Sequence, residues 1–171
     1  LYDRLQPNES GKWVASKEIR PNQLFAVSLP DTPLGKEHMR SVVDVCRKCL
    51  LTPVGMRTLA QEDPNYRARF EGDMMQRDAA YHNGTVWPWL LGPYCEAVLR
   101  ASNFSAVAKD EVVSCVASLL QDLTSGCLGQ LTEIYDGDEP RTQQGCTAQA
   151  WSIAEVLRVA VLLAAPPAGS S

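Results

Sequence analysis

The 171-residue sequence lacks the features that are typical of several large functional classes of protein. It has only 2 histidines, which gives little support to a Ser-His-Asp triad, and it contains no GxSxG, GxGxxG or P-loop motif. Its formal net charge of -4 argues against nucleic acid as the main partner and against a polybasic membrane anchor. Its most apolar stretch, residues 156–165, is broken by Arg158 and is shorter than the roughly 20 residues that a membrane span needs.

Cysteine and histidine are arranged poorly for a metal site. Cys46 and Cys49 form a CxxC pair, but a second pair and supporting histidines are missing, so we predict two small apolar residues on one helix instead of a zinc ligand pair. His82 has no partner at helical spacing. We therefore expect no metal and no other cofactor. The helix-rich context and the lack of a signal-peptide pattern favour reduced thiols.

The apolar pattern predicts a helical protein. The 45% apolar content and the length predict one globular domain over residues 1–165, followed by a disordered tail, 166–171. Apolar stripes at 39–50 and 112–123 are typical of half-exposed helices. Residues 22–29, 86–101 and 148–165 are apolar on most faces, which predicts buried helices, the second with a kink at Pro93.

This alternation of buried and half-exposed helices predicts an all-α fold with two concentric layers of helices. The inner helices would be covered and the outer ones striped. Strand signals are weak, and the best short candidates are 55–59 and 130–135. Residues 1–18 are polar, with a loop expected at 7–11.

Two segments could carry chemistry. Residues 133–140 hold four carboxylates, which indicate either a solvated acidic loop or a general base at Glu133, whose apolar neighbour Ile134 would place it at a pocket wall. The ligand spacing of a calcium loop is absent. Residues 81–89 combine aromatic rings with His and Asn, a set suited to the apolar faces and hydroxyls of a sugar, although core tryptophans at a helix start would give the same pattern.

Three further positions extend the second pattern. Trp151 follows Gln149, and this repeats the pairing of a ring with an amide, with core packing as the alternative. Arg20 and Asn22 stand at a third helix start. Asp73, with Arg77 and Asp78, predicts a surface ion-pair cluster or, alternatively, the rim of a polar pocket that includes His82.

Five longer runs carry a resemblance to a known family. They are IRPNQLFAVSLP (19–30), LLTPVGMRTLA (50–60), GDMMQRDAAYHNGTVWPWLLGPY (72–94), EIYDGD (133–138) and GCTAQAWSIAEVLR (145–158). Together they resemble the C-terminal amylo-α-1,6-glucosidase domain of glycogen debranching enzymes. The likeness covers nearly the whole chain except the tail. Asn83 departs from the family pattern, since many members carry Gln there.

The resemblance implies a fold and a reaction. The family fold is an (α/α)6 toroid, two concentric rings of six helices. The reaction is hydrolysis of α-1,6-linked glucose at glycogen branch points with inversion, which uses two carboxyl groups roughly 6.5–9.5 Å apart. The motif maps the general base to Glu133, whereas the general acid is an upstream Asp with no match in this sequence.

The resemblance also implies that this chain is the back part of a catalytic domain, a partial toroid. Its expected partners are glycogen or a limit-dextrin-like α-glucan and the remainder of the catalytic domain. The isolated chain would have little or no activity, and the alternative is a non-catalytic truncated protein that binds glucan or completes a ring. Glucoamylase- or trehalase-like activity is disfavoured by the long matches. The residues expected to contact substrate are Arg20, Asn22, Asp73, Tyr81, His82, Asn83, Trp87, Trp89, Tyr135, Gln149 and Trp151.

Overall fold

The computed structural model describes residues 1–126 and 128–164. Its α-helices are α1 (Phe25–Ser28), α2 (Lys36–Cys49), α3 (Met74–Tyr81), α4 (Leu91–Ala101), α5 (Ala106–Leu120) and α6 (Ala150–Ala164). Three 3-10 helical turns lie at Pro21–Leu24, Pro88–Leu90 and Gln121–Thr124. The strands are β1 (Leu5–Pro7), β2 (Trp13–Ala15), β3 (Leu51–Thr52), β4 (Gly55–Arg57), β5 (Val86–Trp87), β6 (Ile134–Tyr135) and β7 (Gln143–Gln144).

The two striped helices are confirmed. α2 buries Met39, Val42, Val43 and Cys46 on one face, as the spacing predicted. Cys46 is therefore a core residue, and Cys49 is half-buried at the end of the same helix. α5 begins at a Ser105 cap, whose hydroxyl accepts the Ala108 N–H.

α4 is the centre of the core, but the helix predicted over 86–101 begins late. Val86 and Trp87 form β5, which pairs with β4 and β6. Pro88 has no N–H to donate to a ladder, and the 3-10 turn begins there. Pro93 lies in the first turn of α4, where its missing N–H costs α4 none of its own hydrogen bonds, so the reason to expect a kink is gone.

The helical expectation, an all-α fold with short irregular or strand-like loop segments, is confirmed in its coarse form, although the short segments form a sheet. Five strands of two or three residues form an antiparallel sheet in the order β3-β4-β5-β6-β7. The two weak strand candidates are confirmed in part: β4 covers the first three residues of 55–59, and β6 covers the last two residues of 130–135. The sheet brings Trp87 beside Met56 and Tyr135 beside Val86, so it joins three segments that are distant in sequence.

The prediction that the last helix is buried on most faces is wrong. Of the 15 residues of α6, only Ser152 and Val159 are buried, while Leu157 is 62% and Val161 69% exposed. α6 packs mainly against α4 and the 88–90 turn, so its other side has no neighbour within the described ranges. The concentric layers of the expected toroid therefore stay a prediction.

The chain ends complete the description. β1 and β2 form a hairpin whose turn, at Asn8 to Gly11, confirms the predicted loop. Residues 166–171, the predicted tail, lie outside the described residues. Among the residues that are described, no helix is long and apolar enough to cross a membrane.

Candidate active site

A pocket of about 290 Å³ opens between the 21–24 turn, β5, the 88–90 turn and the start of α6. Its volume is near the lower end of the ~300–1,000 Å³ range of small-molecule sites. Six residues predicted to contact substrate line it: Arg20, Asn22, His82, Trp87, Trp89 and Trp151. The rest of the wall is Pro21, Phe25, Thr58 and Leu90.

Aromatic rings form one side of the pocket. Trp89 stacks on Trp151 with ring centroids 5.2 Å apart, and Trp87 meets Trp151 edge-on at 5.8 Å. His82 stacks on Trp87 at 5.2 Å. Trp87 is both a wall residue and a core residue, whereas Trp151 is 44% exposed and is not core packing. Stacked rings of this kind offer flat apolar faces to a sugar.

The polar rim is built around Arg20. Its guanidinium donates to the backbone carbonyls of His82 at 2.6 Å and Thr58 at 3.2 Å. It also donates to Asn83 Oδ1 at 2.8 Å and pairs with Glu18 at 3.0 Å. Two of these four hydrogen bonds hold the 82–83 segment in place. Asn83 acts with it by donating from Nδ2 to the Ala79 carbonyl.

Two other rim residues keep hydrogen-bonding capacity. Partial burial, followed by the nearby Arg20 charge, lowers the pKa of His82, so its imidazole is neutral at pH 7. A neutral imidazole has one donor and one acceptor nitrogen, both useful for hydroxyl groups. Asn22, which lines the pocket, donates from Nδ2 to Asp3 at 2.7 Å, and its side-chain amide oxygen can accept a further hydrogen bond.

Glu133 precedes β6, and its carboxylate is held by hydrogen bonds. The Tyr81 hydroxyl donates to Oε1 at 2.5 Å, and the Cys146 N–H donates to Oε2 at 2.9 Å. Burial alone would raise the pKa of Glu133, but hydrogen bonds from Tyr81 and Cys146, with Gln149 adding to them, outweigh it and lower the pKa. Glu133 is therefore ionised at neutral pH.

Tyr81 connects Glu133 to the pocket. It is the last residue of α3, and its ring lies 4.9 Å from that of Trp87 and 4.7 Å from that of His82. Its backbone carbonyl accepts the indole N–H of Trp87 at 3.0 Å. Neither Glu133 nor Tyr81 is among the pocket-lining residues, so the carboxylate lies outside the pocket wall and is joined to Trp87 of that wall through Tyr81.

Comparisons with known proteins identify the family of the chain. Residues 1–158 match the profile of the amylo-alpha-1,6-glucosidase family. The chain belongs to this family. A glycogen debranching enzyme of Saccharomyces cerevisiae is 33% identical over 95 residues, which are 52% of this chain and 6% of that enzyme. The chain thus spans a small part of the length of this relative.

Some residues that were predicted to contact substrate lie away from the pocket. Asp73 caps α3: its carboxylate accepts the Gln76 N–H at 2.9 Å, and the residue is exposed. Tyr135 is buried, and its hydroxyl donates to Asp122. Both side chains therefore have structural partners away from the pocket. Gln149 lies beside Glu133, and its N–H donates to the Leu131 carbonyl at 2.9 Å.

The acidic segment is not simply a solvated loop. Asp136 is 4% exposed, accepts the Phe70 N–H at 2.9 Å and pairs with Arg69 at 3.2 Å. Glu139 is exposed, as the solvated-loop alternative expects. The segment therefore combines a buried anchor with an exposed tip. In the part of the chain that is described, no group of three or more His, Cys, Asp or Glu residues could hold a metal ion.

Sequence reasoning missed part of the pocket wall. Phe25 lies with its ring 6.1 Å from that of Trp89, and Thr58 is almost fully buried beside Arg20. Both fall within the runs 19–30 and 50–60 that carry the family resemblance. Those runs were a signal that the whole segment, and not only its polar residues, contributes to the site.

Proposed function

We propose that this chain supplies the general base and part of the sugar-binding wall of a glycogen debranching amylo-α-1,6-glucosidase. The substrate is the α-1,6-linked glucose at a branch point of glycogen or a limit-dextrin-like glucan, and the reaction proceeds with inversion. The observation that carries the proposal is an ionised carboxylate, Glu133, joined through Tyr81 to an aromatic pocket. We further propose a cytoplasmic location, as the resemblance implies.

The proposed base has the capacity for its role. A carboxylate has about four lone-pair sites, and the bonds from Tyr81 and the Cys146 N–H use one on each oxygen, with Gln149 as a further donor. A water molecule can donate to a remaining lone pair. Glu133 takes the proton of this water while the water oxygen bonds to the anomeric carbon, and the bond from that carbon to the departing glucan oxygen breaks.

The pocket wall suits a single glucose residue. Trp89 and Trp151 present ring faces, and the neutral His82 offers a donor and an acceptor to sugar hydroxyls. A pocket of about 290 Å³ favours a monosaccharide-sized group over a long glucan chain. This matches the single glucose that remains at a trimmed branch point.

The proposal requires a second carboxyl group from outside this chain. No Asp or Glu is among the ten described residues that line the pocket. The departing oxygen needs an acid, and loss of general acid catalysis typically costs 10²–10⁴-fold in rate. We therefore expect little or no glucosidase activity from the isolated chain. The remainder of the catalytic domain is the proposed partner, and the exposed apolar side of α6 supports this.

The direct test is Glu133→Gln in a full-length protein that carries this sequence. We expect kcat on limit dextrin to fall by about 10²–10⁴-fold while glucan binding is retained. Glu62→Gln is the matched control, because Glu62 is exposed and away from the pocket wall, and it should leave kcat unchanged. Full turnover by Glu133→Gln would refute the proposed base.

A second candidate is a glucan-binding protein without catalysis. It is favoured by a pocket wall that has aromatic rings but no carboxylate. In both cases Trp151→Ala should weaken binding of glucose-like ligands to this chain, measured by calorimetry. The two candidates differ in turnover: a full-length protein that binds limit dextrin but releases no glucose supports the binding protein.

A further inference from the structure

We propose that Tyr81 is a positioning residue that aims the Glu133 carboxylate, in place of the substrate contact that its sequence context predicted. This inference rests on the proposed role of Glu133 as base. The contact that carries it is the hydrogen bond of 2.5 Å from the Tyr81 hydroxyl to Oε1 of Glu133, which joins the end of α3 to the start of β6.

The Tyr81 side chain is fixed before it reaches Glu133. Its ring packs against those of Phe70, His82 and Trp87, with centroid distances of 5.6, 4.7 and 4.9 Å. Its backbone carbonyl accepts from the Thr85 hydroxyl at 2.7 Å and from the Trp87 indole at 3.0 Å. These contacts fix the direction of the Tyr81 hydroxyl. Tyr81 therefore contacts both the aromatic wall and the Glu133 carboxylate.

A second contact holds the other carboxylate oxygen. The Cys146 N–H donates to Oε2, and the Glu133 N–H donates back to the Cys146 carbonyl, both at 2.9 Å. Gly145 makes this approach possible: its φ is +68°, and a Cβ there would lie 2.4 Å from Oε2. The carboxylate is therefore clamped between a side chain of α3 and the loop before α6.

The hydrogen-bond inventory separates positioning from sugar binding. A tyrosine hydroxyl has one proton to donate, and Tyr81 donates it in the hydrogen bond to Glu133. Tyr81 therefore cannot also donate to a sugar hydroxyl. The titratable groups that face Glu133 are Tyr81 and His82 from the end of α3 and Cys146 from the loop before α6. The bond from Tyr81 is the strongest influence that lowers the pKa of Glu133.

The test compares Tyr81→Phe with Tyr66→Phe. Tyr66 is a matched control because its hydroxyl donates to the Asp138 carboxylate at 2.8 Å, outside the pocket wall. In the full-length protein we expect Tyr81→Phe to lower kcat about 10- to 100-fold, with KM nearly unchanged, because a misplaced catalytic group costs up to about 10²-fold. The acidic limb of its kcat–pH profile should move to higher pH. Tyr66→Phe should change neither.

A second measurement needs no activity. The Glu133 side-chain carboxyl carbon can be followed by NMR during acid titration of the 171-residue chain, with Glu133→Gln as the assignment standard. The pKa of Glu133 should rise in Tyr81→Phe and stay constant in Tyr66→Phe. An unchanged pKa together with an unchanged kcat would overturn the positioning role. If Glu133→Gln retains full turnover, the proposed base fails, and this NMR result still decides the contact.

Gly145→Ala tests the clamp from its other side and does not alter Tyr81. Its control is Gly11→Ala, since Gly11 has a similar φ of +76° but nothing within 4 Å of an added Cβ. Both substitutions meet the same backbone strain, but only Gly145→Ala pushes on Glu133. We expect kcat to fall about 10-fold or more in Gly145→Ala alone. Equal activity of the two variants would contradict the clamp.

Discussion

α4 and α6 are both apolar helices, but they have opposite environments. Ten of the 11 residues of α4 are buried, against two of 15 in α6. α4 packs against α1, α2, α5 and α6, whereas α6 packs mainly against α4 and the 88–90 turn. The comparison teaches that apolar composition makes a helix able to be buried, and that its neighbours decide whether it is buried.

The contact between the two helices combines close approach with charge. Gly92 in α4 faces Glu155 in α6 so closely that an added Cβ would lie 1.8 Å from Oε2 of Glu155. Glu96 in α4 pairs with Arg158 at 2.5 Å and with Arg100 at 2.7 Å. Arg158 also pairs with Glu155 at 2.8 Å. α6 is thus attached to the core along one side by a glycine and an ion-pair network.

The largest effect on the free energy of unfolding should appear when a leucine of α4 is replaced by alanine, with the same replacement in α6 as the comparison. Leu99 of α4 is fully buried and Leu157 of α6 is 62% exposed. We expect Leu99→Ala to lower the free energy of unfolding by about 2–5 kcal/mol, because it leaves a cavity. Leu157→Ala should change it by less than about 0.5 kcal/mol. Urea unfolding of this chain measures both, and similar losses would show that α6 is covered.

The next effect concerns the approach of the helices. Gly92→Ala should destabilise the chain by about 1–3 kcal/mol, because the new methyl group overlaps Glu155 and pushes α6 away. Glu155→Ala removes two of the three atoms nearest to the added methyl group, Oε2 and Cδ of Glu155. In that background Gly92→Ala should therefore destabilise the chain less. A double-mutant cycle measures this coupling. Equal costs in both backgrounds would mean that α6 does not press on Gly92.

A smaller effect is expected from the charge that joins the helices. Arg158→Met keeps much of the side-chain volume but removes the pairing with Glu96, which retains Arg100. The expected loss is about 1 kcal/mol, since Arg158 is 38% exposed and Glu96 stays paired. Arg40→Met is the control, because Arg40 is an exposed residue of α2, and it should leave the free energy of unfolding unchanged. If Arg158→Met leaves the free energy of unfolding unchanged, packing alone holds α6 against α4.

The smallest effect is a pH dependence in the loop before α6, where the Cys146 N–H donates to Glu133. The pKa of folded Glu133 lies below its ordinary value near 4.5, so its hydrogen bonds stabilise the fold above that pH. This contribution is lost as the pH falls through the folded pKa. We therefore expect wild type to be more stable than Glu133→Gln at pH 7 and the difference to shrink as the pH falls below about 4.5 and through the folded pKa. A constant difference across this range would contradict the clamp.

Local patterns predicted the helices that form one side of a core. Met39, Val42 and Cys46 recur at helical spacing, and α2 follows from them. Val86 and Trp87 did not reveal their strand, because a short apolar run fits a helix or a strand, and pairing with Met56 decides it. The exposure of α6 could not be predicted either, since its neighbours are not encoded in its own composition.

The candidate site was predicted in its residue types but not in its contacts. Glu133, Trp87 and Trp151 came from motifs, whereas the bond between Tyr81 and Glu133 joins residues 52 positions apart. Tyr135 shows the reverse case: its motif position suggested the site, but Asp122 holds its hydroxyl elsewhere. Which of the two tyrosines reaches Glu133 is set by the sheet register and by α3.

The stacked indoles also give the molecule an optical reporter. Of its 4 tryptophans, three line the pocket and only Trp13, 67% exposed on the hairpin, stands apart. Replacing Trp13 by Phe would leave a fluorophore set confined to the sugar-sized cavity. Intrinsic emission would then follow ligand entry directly, without any attached dye.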